Sequence, residues 1–385
     1  MRKLSLMKNC ARILSIYASD TAGVCSMLYE LGGMTIVHDA SGCNSTYSTH
    51  DEPRWYSKRS MIYISALTEM DAIMGNDRKL LQDAAQTARE LRPEFIALCG
   101  SPMPYMTGVD FDALAAELEA ETALPVLGLH TNGIGSYIDG AGEALKMYLK
   151  RFARQDVPKS SRLSVNLLGA TPLDFSGSRQ MDAIRNAFLQ NGISVQSCMA
   201  MDSSPEELAN CRRAHVNVLL SAAGLPAAQY LQETSGIPLV AGVPYGGKFA
   251  EKLFRDVRKS AEDGQDRFPC MDRPAPEGEC LQIVGESIGA ASLTCAVDRP
   301  AKVLVPQALA PAFLLPQDAV FADEDEVENL FGEASAILAD PMYQPVAPAG
   351  TPFYPLPHEA FSGRCFRDRI PVLTGRNQNL GVELC

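Results

Sequence analysis

The sequence predicts an α/β protein of three Rossmann-like domains with mainly parallel sheets and flanking helices. Short apolar runs alternate with amphipathic stretches along most of the chain, which is typical of parallel strands joined by crossover helices. Two polar segments, QDVPKSS and GQDRFPCMDRPAPEGEC, interrupt this alternation. A chain of 385 residues is also too long for one ordinary core. The predicted domains are residues 1–157, 158–275 and 276–385.

The first predicted domain alternates strands with helices. Its strands are expected in MTIVHD, MIYISAL, FIALCGSP and LPVLGLHTNG, and its helices in DRKLLQDAAQTAREL, DFDALAAELEAE and SYIDGAGEALKMYLKRF. Asp77 lies near the start of the first of these helices, where an acidic or capping residue is favoured.

The second and third domains repeat the alternation. Expected strands of the second are LSVNLLGA, ISVQSCM, HVNVLLS and IPLVAG, separated by helices such as SRQMDAIRNAFLQNG and GGKFAEKLFRDVRKSAED. One helix should begin with a capping box of Ser204 and Glu207, with Pro205 in its first turn. The third domain is expected to contain strands in CLQIVGE, AKVLVP and ASAILADP, with helices at SIGAASLTCAV and DEDEVENLFGE.

Composition narrows the classes of function. The formal net charge of −12 argues against nucleic acid as the main partner, because phosphate binding needs clustered Lys and Arg. The chain has no apolar run of about 18 residues, so no membrane span is expected. Its start lacks the continuous apolar region of a signal peptide, which favours a cytoplasmic protein. Eleven cysteines without a C-x-x-C spacing then indicate packing residues or metal ligands.

Three cysteines lie near the ends of predicted elements of the first sheet. Cys43 follows the strand MTIVHD in the turn ASGCN, and Cys99 ends the strand FIALC. Cys25 lies in SDTAGVCSM, where Asp20 or Thr21 is expected to cap a helix. A helix N-terminus lowers the pKa of a thiol and favours the thiolate that binds metals. Because open α/β sheets bind ligands beyond the carboxyl ends of their strands, we expect these thiols to converge.

Converging thiolates are the usual ligands of iron–sulfur clusters. The spacing alone also allows Cys25, Cys43 and Cys99 to be small buried apolar residues, which is a common state of free cysteine. The residue pattern leaves both interpretations open. The remaining cysteines are expected to be packing or surface thiols: Cys10, Cys198, Cys211, Cys270, Cys280, Cys295, Cys365 and Cys385.

Other segments offer weaker candidates for a site. Gly242 to Lys248 follows a strand and opens a helix as a phosphate-binding loop does, but Phe249 replaces the Ser or Thr that holds magnesium. A glycine-rich turn without nucleotide is therefore favoured. Two interpretations remain for the segment from His50 to Trp55. It has a function, in proton transfer or at an interface, or it is a solvated polar loop. His358 either faces a pocket between domains or is structural.

The order of these features resembles the nitrogenase component 1 family. VHDASGCNSTY resembles the H-G-P-x-G-C segment of that family, with His38 kept and Asp39 and Ala40 in place of Gly-Pro. The stretch from LTEMDAIMGNDRKLL to FIALCGSPMPYMTGVDFDAL resembles the family's next segment, in which a helix is followed by a strand that ends in a further cluster cysteine and then by an acidic loop. LPVLGLHTNGIGSYIDGAGEAL, DPMYQPVAP and LPHEAFSGR resemble later segments.

The resemblance implies a fold, a cofactor and partners. It implies three Rossmann-like domains and an iron–sulfur cluster, [4Fe–4S] or larger, bound by Cys25, Cys43 and Cys99 and shared between subunits. The implied assembly is a homodimer or a heterodimer with a related subunit. It receives electrons from an ATP-hydrolysing iron protein and acts on a small molecule. Ser221 stands where the cysteine that anchors the iron–molybdenum cofactor is expected, so the chain resembles a short nitrogenase-like protein rather than a true nitrogenase.

Two functions follow from this resemblance. One is the catalytic component of a nitrogenase-like, ATP-dependent iron–sulfur reductase, similar to the reductases of tetrapyrrole pathways. The other is a non-catalytic scaffold on which a metallocofactor is assembled, since Ser221 fits a transient cofactor as well as an organic substrate. The sequence does not identify the substrate, the proton donor or the choice between these two functions.

Overall fold

The computed structural model describes residues 11–13, 18–40, 52–309 and 312–375. Within these residues thirteen strands form three sheets, and each sheet is drawn from its own stretch of the chain. All strand pairs within the sheets are parallel. The predicted α/β class with parallel sheets and flanking helices is therefore confirmed. The boundaries of the three domains stay predictions.

The first sheet has the order β2-β1-β3-β4. Its strands are β1 (Met34–His38), β2 (Met61–Ile64), β3 (Ile96–Gly100) and β4 (Val126–Leu129). The helices of this stretch are α1 (Asp20–Leu28), α2 (Glu69–Met74), α3 (Arg78–Leu91), α4 (Pro102–Thr107), α5 (Phe111–Thr122) and α6 (Tyr137–Phe152). Strands β1, β3 and β4 are buried along their whole length, as expected when helices cover both faces of a parallel sheet.

The second sheet has the order β6-β5-β7-β8. Its strands are β5 (Ser164–Leu168), β6 (Ser194–Met199), β7 (Val216–Leu219) and β8 (Leu239–Ala241). Its helices are α7 (Pro172–Phe175), α8 (Ser178–Gln190), α9 (Pro205–Ala209), α10 (Leu225–Ser235) and α11 (Gly247–Asp263). The capping box predicted for α9 is confirmed, since the Ser204 and Glu207 side chains each accept a hydrogen bond from the backbone N–H of the other.

The third sheet has the order β11-β10-β9-β12-β13. Its strands are β9 (Cys280–Val284), β10 (Ala301–Pro306), β11 (Ala319–Phe321), β12 (Ala334–Ala339) and β13 (Phe353–Pro355). Its helices are α12 (Ser287–Ala296), α13 (Glu324–Phe331) and α14 (Glu359–Ser362). The sequence did not predict β11 and β13, because three residues are too few to show an alternating apolar pattern.

No helix among the described residues is long and apolar enough to cross a bilayer. Several helices begin at a side-chain cap: Ser19 accepts from the Ala22 N–H at α1, Asp110 from Ala113 at α5 and Ser136 from Ile138 at α6. These caps satisfy backbone donors that the first turn leaves free.

Helices α1 and α6 pack backbone to backbone. A Cβ atom added at Gly140 would lie 1.9 Å from the carbonyl oxygen of Asp20, and one added at Gly23 would lie 2.1 Å from that of Tyr137. No side chain fits at either position, because real Cβ atoms keep well beyond these distances. The two glycines therefore set the distance between the helices, and with it the position of every side chain that α1 carries.

We predict that Gly140→Ala destabilises the protein by about 2 kcal/mol or more, because the added methyl group forces α1 away from α6. Urea unfolding measured by circular dichroism gives this free energy. Gly247→Ala is the matched control, since a Cβ there meets nothing within 4 Å and should change stability by less than about 0.5 kcal/mol. Equal stabilities of the two variants would contradict the close-packed contact.

Candidate functional site

Two of the three predicted cluster cysteines lie side by side. Cys25 is in the second turn of α1, Cys99 is the fourth residue of β3, and both are buried, with 1% and 0% of their surfaces exposed. The expected caps Asp20 and Thr21 are wrong, because Ser19 caps α1 instead. Cys25 consequently lies beyond the first turn, to which the effect of a helix end is largely confined.

Hydrogen bonds fix the surroundings of the Cys25–Cys99 pair. The Asp20 carboxylate at the start of α1 accepts from the backbone N–H groups of Asn132 and Gly133, each at 2.8 Å. The Thr21 hydroxyl donates to the carbonyl of Gly100, the residue after Cys99, at 2.8 Å. The start of α1, the end of β3 and the turn after β4 are thus held together around the two thiols.

The contact with Cys25 affects the ionisation of Cys99. A hydrogen bond with Cys25, followed by burial and the Cys25 charge, raises the pKa of the Cys99 thiol well above its usual value. A metal ion supplies the positive charge that lets such thiols ionise, since a coordinating thiol is deprotonated outright. Two adjoining buried sulfurs therefore fit a soft metal centre. Cys43 lies outside the described residues, and these contain no group of three metal-binding side chains.

The segment that follows Cys43 is anchored by a buried ion pair. The Arg54 Nε atom donates to Glu52 at 2.6 Å, and its two terminal nitrogens donate to Glu30 at 2.9 Å and to the carbonyls of Ser26 and Ala200 at 2.6 and 3.0 Å. Glu52 and Arg54 are both buried. These contacts tie α1 to the residues after β6.

Of the two alternatives for this segment, the solvated polar loop is therefore wrong for Glu52 and Arg54, which are buried. The partners of Arg54 come partly from other parts of the chain, which the local polar pattern does not reveal. His50 and Asp51 lie outside the described residues.

A cavity of about 70 Å³ lies where strands of the second and third sheets end. Asp174 and Tyr245 line it from the segments after β5 and β8. Glu286 and His358 line it from the segments after β9 and β13. We call this space the central cavity. Its position follows the general rule that α/β proteins bind ligands beyond the carboxyl ends of their strands.

The Asp174 carboxylate joins all three parts of the chain at this cavity. The Tyr137 hydroxyl, at the start of α6, donates to its Oδ1 atom, and the Thr171 hydroxyl donates to Oδ2 at 3.0 Å. The Nε2 atom of His358 lies 3.6 Å from Oδ1. Three residues thus meet at this carboxylate: Tyr137 precedes the second sheet in the chain, Thr171 follows its strand β5, and His358 follows the last strand of the third sheet.

Glu286 is a second buried carboxyl group in the cavity. It caps α12 by accepting from the N–H groups of Ile288 and Gly289 at 3.1 and 2.9 Å, and from Ala222 at 3.0 Å. Burial, followed by the charge of Asp174, raises the pKa of Glu286 to about 7 against these hydrogen bonds. A carboxyl group in this state exchanges protons near neutral pH.

A family model described as nitrogenase component 1 type oxidoreductase matches residues 20–276 of this chain, from the start of α1 to beyond the second sheet. The chain belongs to the nitrogenase component 1 type oxidoreductase family. The matched region contains Cys25, Cys99 and Asp174, whereas Glu286 and His358 lie after it.

Individual relatives are distant. The nitrogenase iron-molybdenum cofactor biosynthesis protein NifE of Rippkaea orientalis is 25% identical over 232 residues, which are 58% of this chain and 47% of that protein. One component of the light-independent protochlorophyllide reductase of Synechococcus elongatus is 28% identical over 194 residues, 48% of this chain and 38% of that component. The chain spans about half the length of the curated relatives it matches.

A solved structure shows the same fold. The structure of nitrogenase Cp1 at pH 6.5 superposes with a TM-score of 0.63 over 91% of this chain and 87% of that one. Only 14% of the aligned residues are identical, so the likeness concerns the fold alone.

Within this nitrogenase-like chain, Ser221 and the glycine-rich turn have structural roles. The Ser221 hydroxyl is buried and donates to the carbonyl of Gly169 at 2.9 Å. The turn from Gly242 leads into α11, where Phe249 is buried and Lys248 is exposed next to Asp298. This placement agrees with the predicted turn between a strand and a helix.

Short helices after β2 and β3 form an exposed apolar patch. Helices α2 and α4 pack against each other. The patch consists of large apolar side chains that solvent reaches, from Met103 at 41% to Met106 at 83% exposed: Met70, Ile73, Met74, Met103, Tyr105 and Met106. A large exposed apolar surface commonly marks an interaction site, and methionines adapt to a partner's shape.

The sequence missed Tyr137, Asp174 and Glu286 as site residues. Each is a single polar residue in an otherwise ordinary segment, and only the fold brings them together. The one available signal was position, since Asp174 and Glu286 each lie close to the end of a predicted strand. His358, predicted as a possible pocket residue, does line the central cavity.

We predict that Cys99→Ser lowers the iron content of anaerobically purified protein. Loss of a residue that only hydrogen-bonds to a metal ligand lowers metal affinity at least roughly tenfold, and loss of the ligand itself should lower it further. Inductively coupled plasma analysis and the visible absorption spectrum provide the measurement. Cys198→Ser is the control, because Cys198 is an equally buried thiol in β6. Retention of iron by Cys99→Ser would remove Cys99 from the ligand set.

We also predict that Glu286 makes stability fall as pH rises. Its pKa is about 7 in the folded protein and near 4.5 in the unfolded chain, so the native state binds more protons between these values. The free energy of unfolding should therefore decrease between about pH 5 and about pH 8, by on the order of 3 kcal/mol from this group.

Glu286→Gln should flatten this dependence. Asp340 and Glu359, whose pKa values burial also raises, contribute equally to both proteins and cancel in the comparison. Urea unfolding at several pH values measures both slopes, and identical slopes would show that Glu286 ionises normally.

Proposed function

We propose that this chain is the catalytic component of a nitrogenase-like, ATP-dependent iron–sulfur reductase. In this proposal Cys25, Cys43 and Cys99 hold an iron–sulfur cluster, [4Fe–4S] or larger, which supplies one-electron transfer when bound. A separate ATP-hydrolysing iron protein provides the electrons, and a small molecule in the central cavity accepts them. The family membership and the Cys25–Cys99 pair support the electron-transfer part of the proposal.

The observation that carries the proposal is the connection between the thiol pair and the central cavity. Helix α6 packs directly on α1, which carries Cys25, and its first residue, Tyr137, donates to Asp174 at the cavity. Reduction of an organic molecule consumes protons together with electrons, and the cavity offers Asp174, Glu286 and His358 for proton transfer. An assembly scaffold has no need of a proton source at this position.

The proposed cluster requires a second subunit. Three thiolates are one ligand short of the four that a cubane cluster binds. A two-fold axis near the Cys25–Cys99 pair brings a second half-site into place. The chain is therefore proposed to act as a homodimer or as a heterodimer with a related subunit.

The apolar patch of α2 and α4 is the proposed docking surface for the iron protein. Helix α4 begins three residues after Cys99, so a partner bound there lies next to the proposed cluster. Short distances are essential for electron transfer between proteins. The exposed methionines Met74 and Met106 provide the apolar contact that such a transient complex needs.

The second candidate function is a scaffold for metallocofactor assembly. The similarity to a protein named for iron–molybdenum cofactor biosynthesis favours it. In this case the central cavity holds a cofactor precursor, and the chain passes metal or cluster to another protein without turnover.

We predict that mixing the reduced iron protein and MgATP with the anaerobically purified chain oxidises the iron protein's cluster at a rate that depends on ATP. Stopped-flow absorbance records this transfer. Met74→Asp and Met106→Asp should slow the transfer at least about tenfold, because a buried charge opposes docking. Leu189→Asp is the control, since Leu189 is exposed on α8, outside the patch.

The results separate the two functions. ATP-dependent oxidation of the iron protein by the wild-type chain supports the reductase. Iron-containing chain that accepts no electrons, but transfers iron and sulfide to an apo-protein, supports the scaffold. Equal rates for wild type and both patch variants would place docking elsewhere.

A further inference from the structure

We propose that His358 delivers protons into the central cavity and that Asp174 is its positioning residue. The proposal deepens the proposed function, because it names the proton donor of that reductase. The histidine geometry is independent of any bound cluster, so it is testable even if the reductase function fails.

The two ring nitrogens of His358 have different surroundings. Nε2 lies 3.6 Å from the Oδ1 atom of Asp174, just beyond hydrogen-bond range. Nδ1 is buried and has no hydrogen-bond partner among the described residues. Catalytic hydrogen bonds are often long before a substrate binds. A ring with one nitrogen turned to a carboxylate and the other unpaired, in a wall of a cavity, is suited to proton transfer.

Asp174 is itself held in place. Tyr137 donates to the same oxygen that faces His358, and Thr171 donates to the other oxygen at 3.0 Å. These donors fix the orientation of the carboxylate. A small approach of the ring brings Nε2 within hydrogen-bond range of this acceptor, and the Nε2–H tautomer that this contact favours leaves the Nδ1 lone pair free to take a proton.

The ring plane and backbone of His358 are also fixed. The ring stacks on Phe361 with the centroids 4.3 Å apart and an angle of 29° between the planes. The His358 backbone N–H donates to Asp340 at 2.8 Å. A proton donor held in this way needs no reorganisation before it acts.

Other charged groups near His358 are already engaged. Asp340 also accepts from the Ser362 hydroxyl, and Glu359 pairs with Arg367. Glu286 faces Asp174 within the cavity, but its oxygens accept backbone N–H groups as the cap of α12. The buried Nδ1 atom of His358 lacks a partner in the described part of the chain, and this distinguishes His358 from the carboxylates around it.

In the proposed step, the electrons and the proton come from separate donors. The iron protein supplies the electrons that reduce the substrate, and the Nδ1–H bond of the imidazolium breaks as a new bond forms between that hydrogen and the reduced atom. The imidazole becomes neutral with its hydrogen on Nε2, facing Asp174. The ring then takes up a proton that comes ultimately from solvent and becomes imidazolium again, so each such cycle delivers one proton.

Nitrogen NMR of the histidine-labelled protein, purified anaerobically and without added reductant, tests this arrangement. His358→Gln assigns the signal. We expect the neutral ring of His358 in the wild type to carry its hydrogen on Nε2, facing Asp174, with Nδ1 unprotonated. Asp174→Asn should give a mixture of tautomers, because the fixed anionic acceptor is lost.

His215→Asn is the control, since His215 accepts from Ser164 N–H at the opposite, amino-terminal end of the second sheet and should leave the His358 signal unchanged. The proposal is overturned if Nδ1 carries the hydrogen in the neutral ring, or if Asp174→Asn preserves a single tautomer.

A parallel measurement separates this proposal from the proposed function. Electron uptake from the iron protein is measured on the wild-type chain, and this test of the reductase function does not involve a change at His358. Absence of electron uptake by the wild type counts against the reductase function, while the NMR result still decides the role of His358.

Discussion

The direct contact between the backbones of α1 and α6 is the constraint on which the rest of the site depends. Gly23 and Gly140 leave no room for a side chain between the helices, so neither helix can shift without breaking contact. Helix α1 carries Cys25 and α6 begins with Tyr137. Densely packed interiors transmit small displacements rather than absorbing them. The thiol pair and the central cavity are consequently parts of one rigid arrangement, joined by two helices.

Parallel sheets explain why chemistry collects at two places in the molecule. Every strand of a parallel sheet ends at the same edge, and the polar residues of the following turns meet there. At this edge of the first sheet, the carbonyl of Gly100, the residue after Cys99, accepts a hydrogen bond from Thr21 at the start of α1. In the second and third sheets the edges face each other across the central cavity, where Asp174 and His358 meet. The fold thus separates the thiol pair from the space for a small molecule, as the proposed function requires.

The sequence predicts the long helices and strands and the residues at their ends. It does not predict contacts between residues that lie far apart in the chain. Amphipathic periodicity located α3 and α11, and capping chemistry located the start of α9 at Ser204. Cys99 was singled out because a buried strand ends there. Asp174 was not predicted as a site residue, because its contacts with Tyr137 and His358 join residues that are remote in sequence. The local polar pattern left the burial of Arg54 undecided for the same reason, since its partner Ala200 lies far along the chain.

Two buried polar clusters in this protein differ in how completely they are neutralised. Arg54 is matched by Glu52, Glu30 and backbone carbonyls, so its burial costs little beyond desolvation and serves to join parts of the chain. In the central cavity the charge of Asp174 opposes ionisation of Glu286, and no Arg or Lys lines the cavity among the described residues. Two buried carboxyl groups without a cation nearby lower the stability of the fold, and proteins retain such pairs where a group must exchange protons. The Arg54 cluster therefore joins parts of the chain, whereas the proposed proton donor His358 lies in the cavity whose carboxyl groups are not neutralised by Arg or Lys.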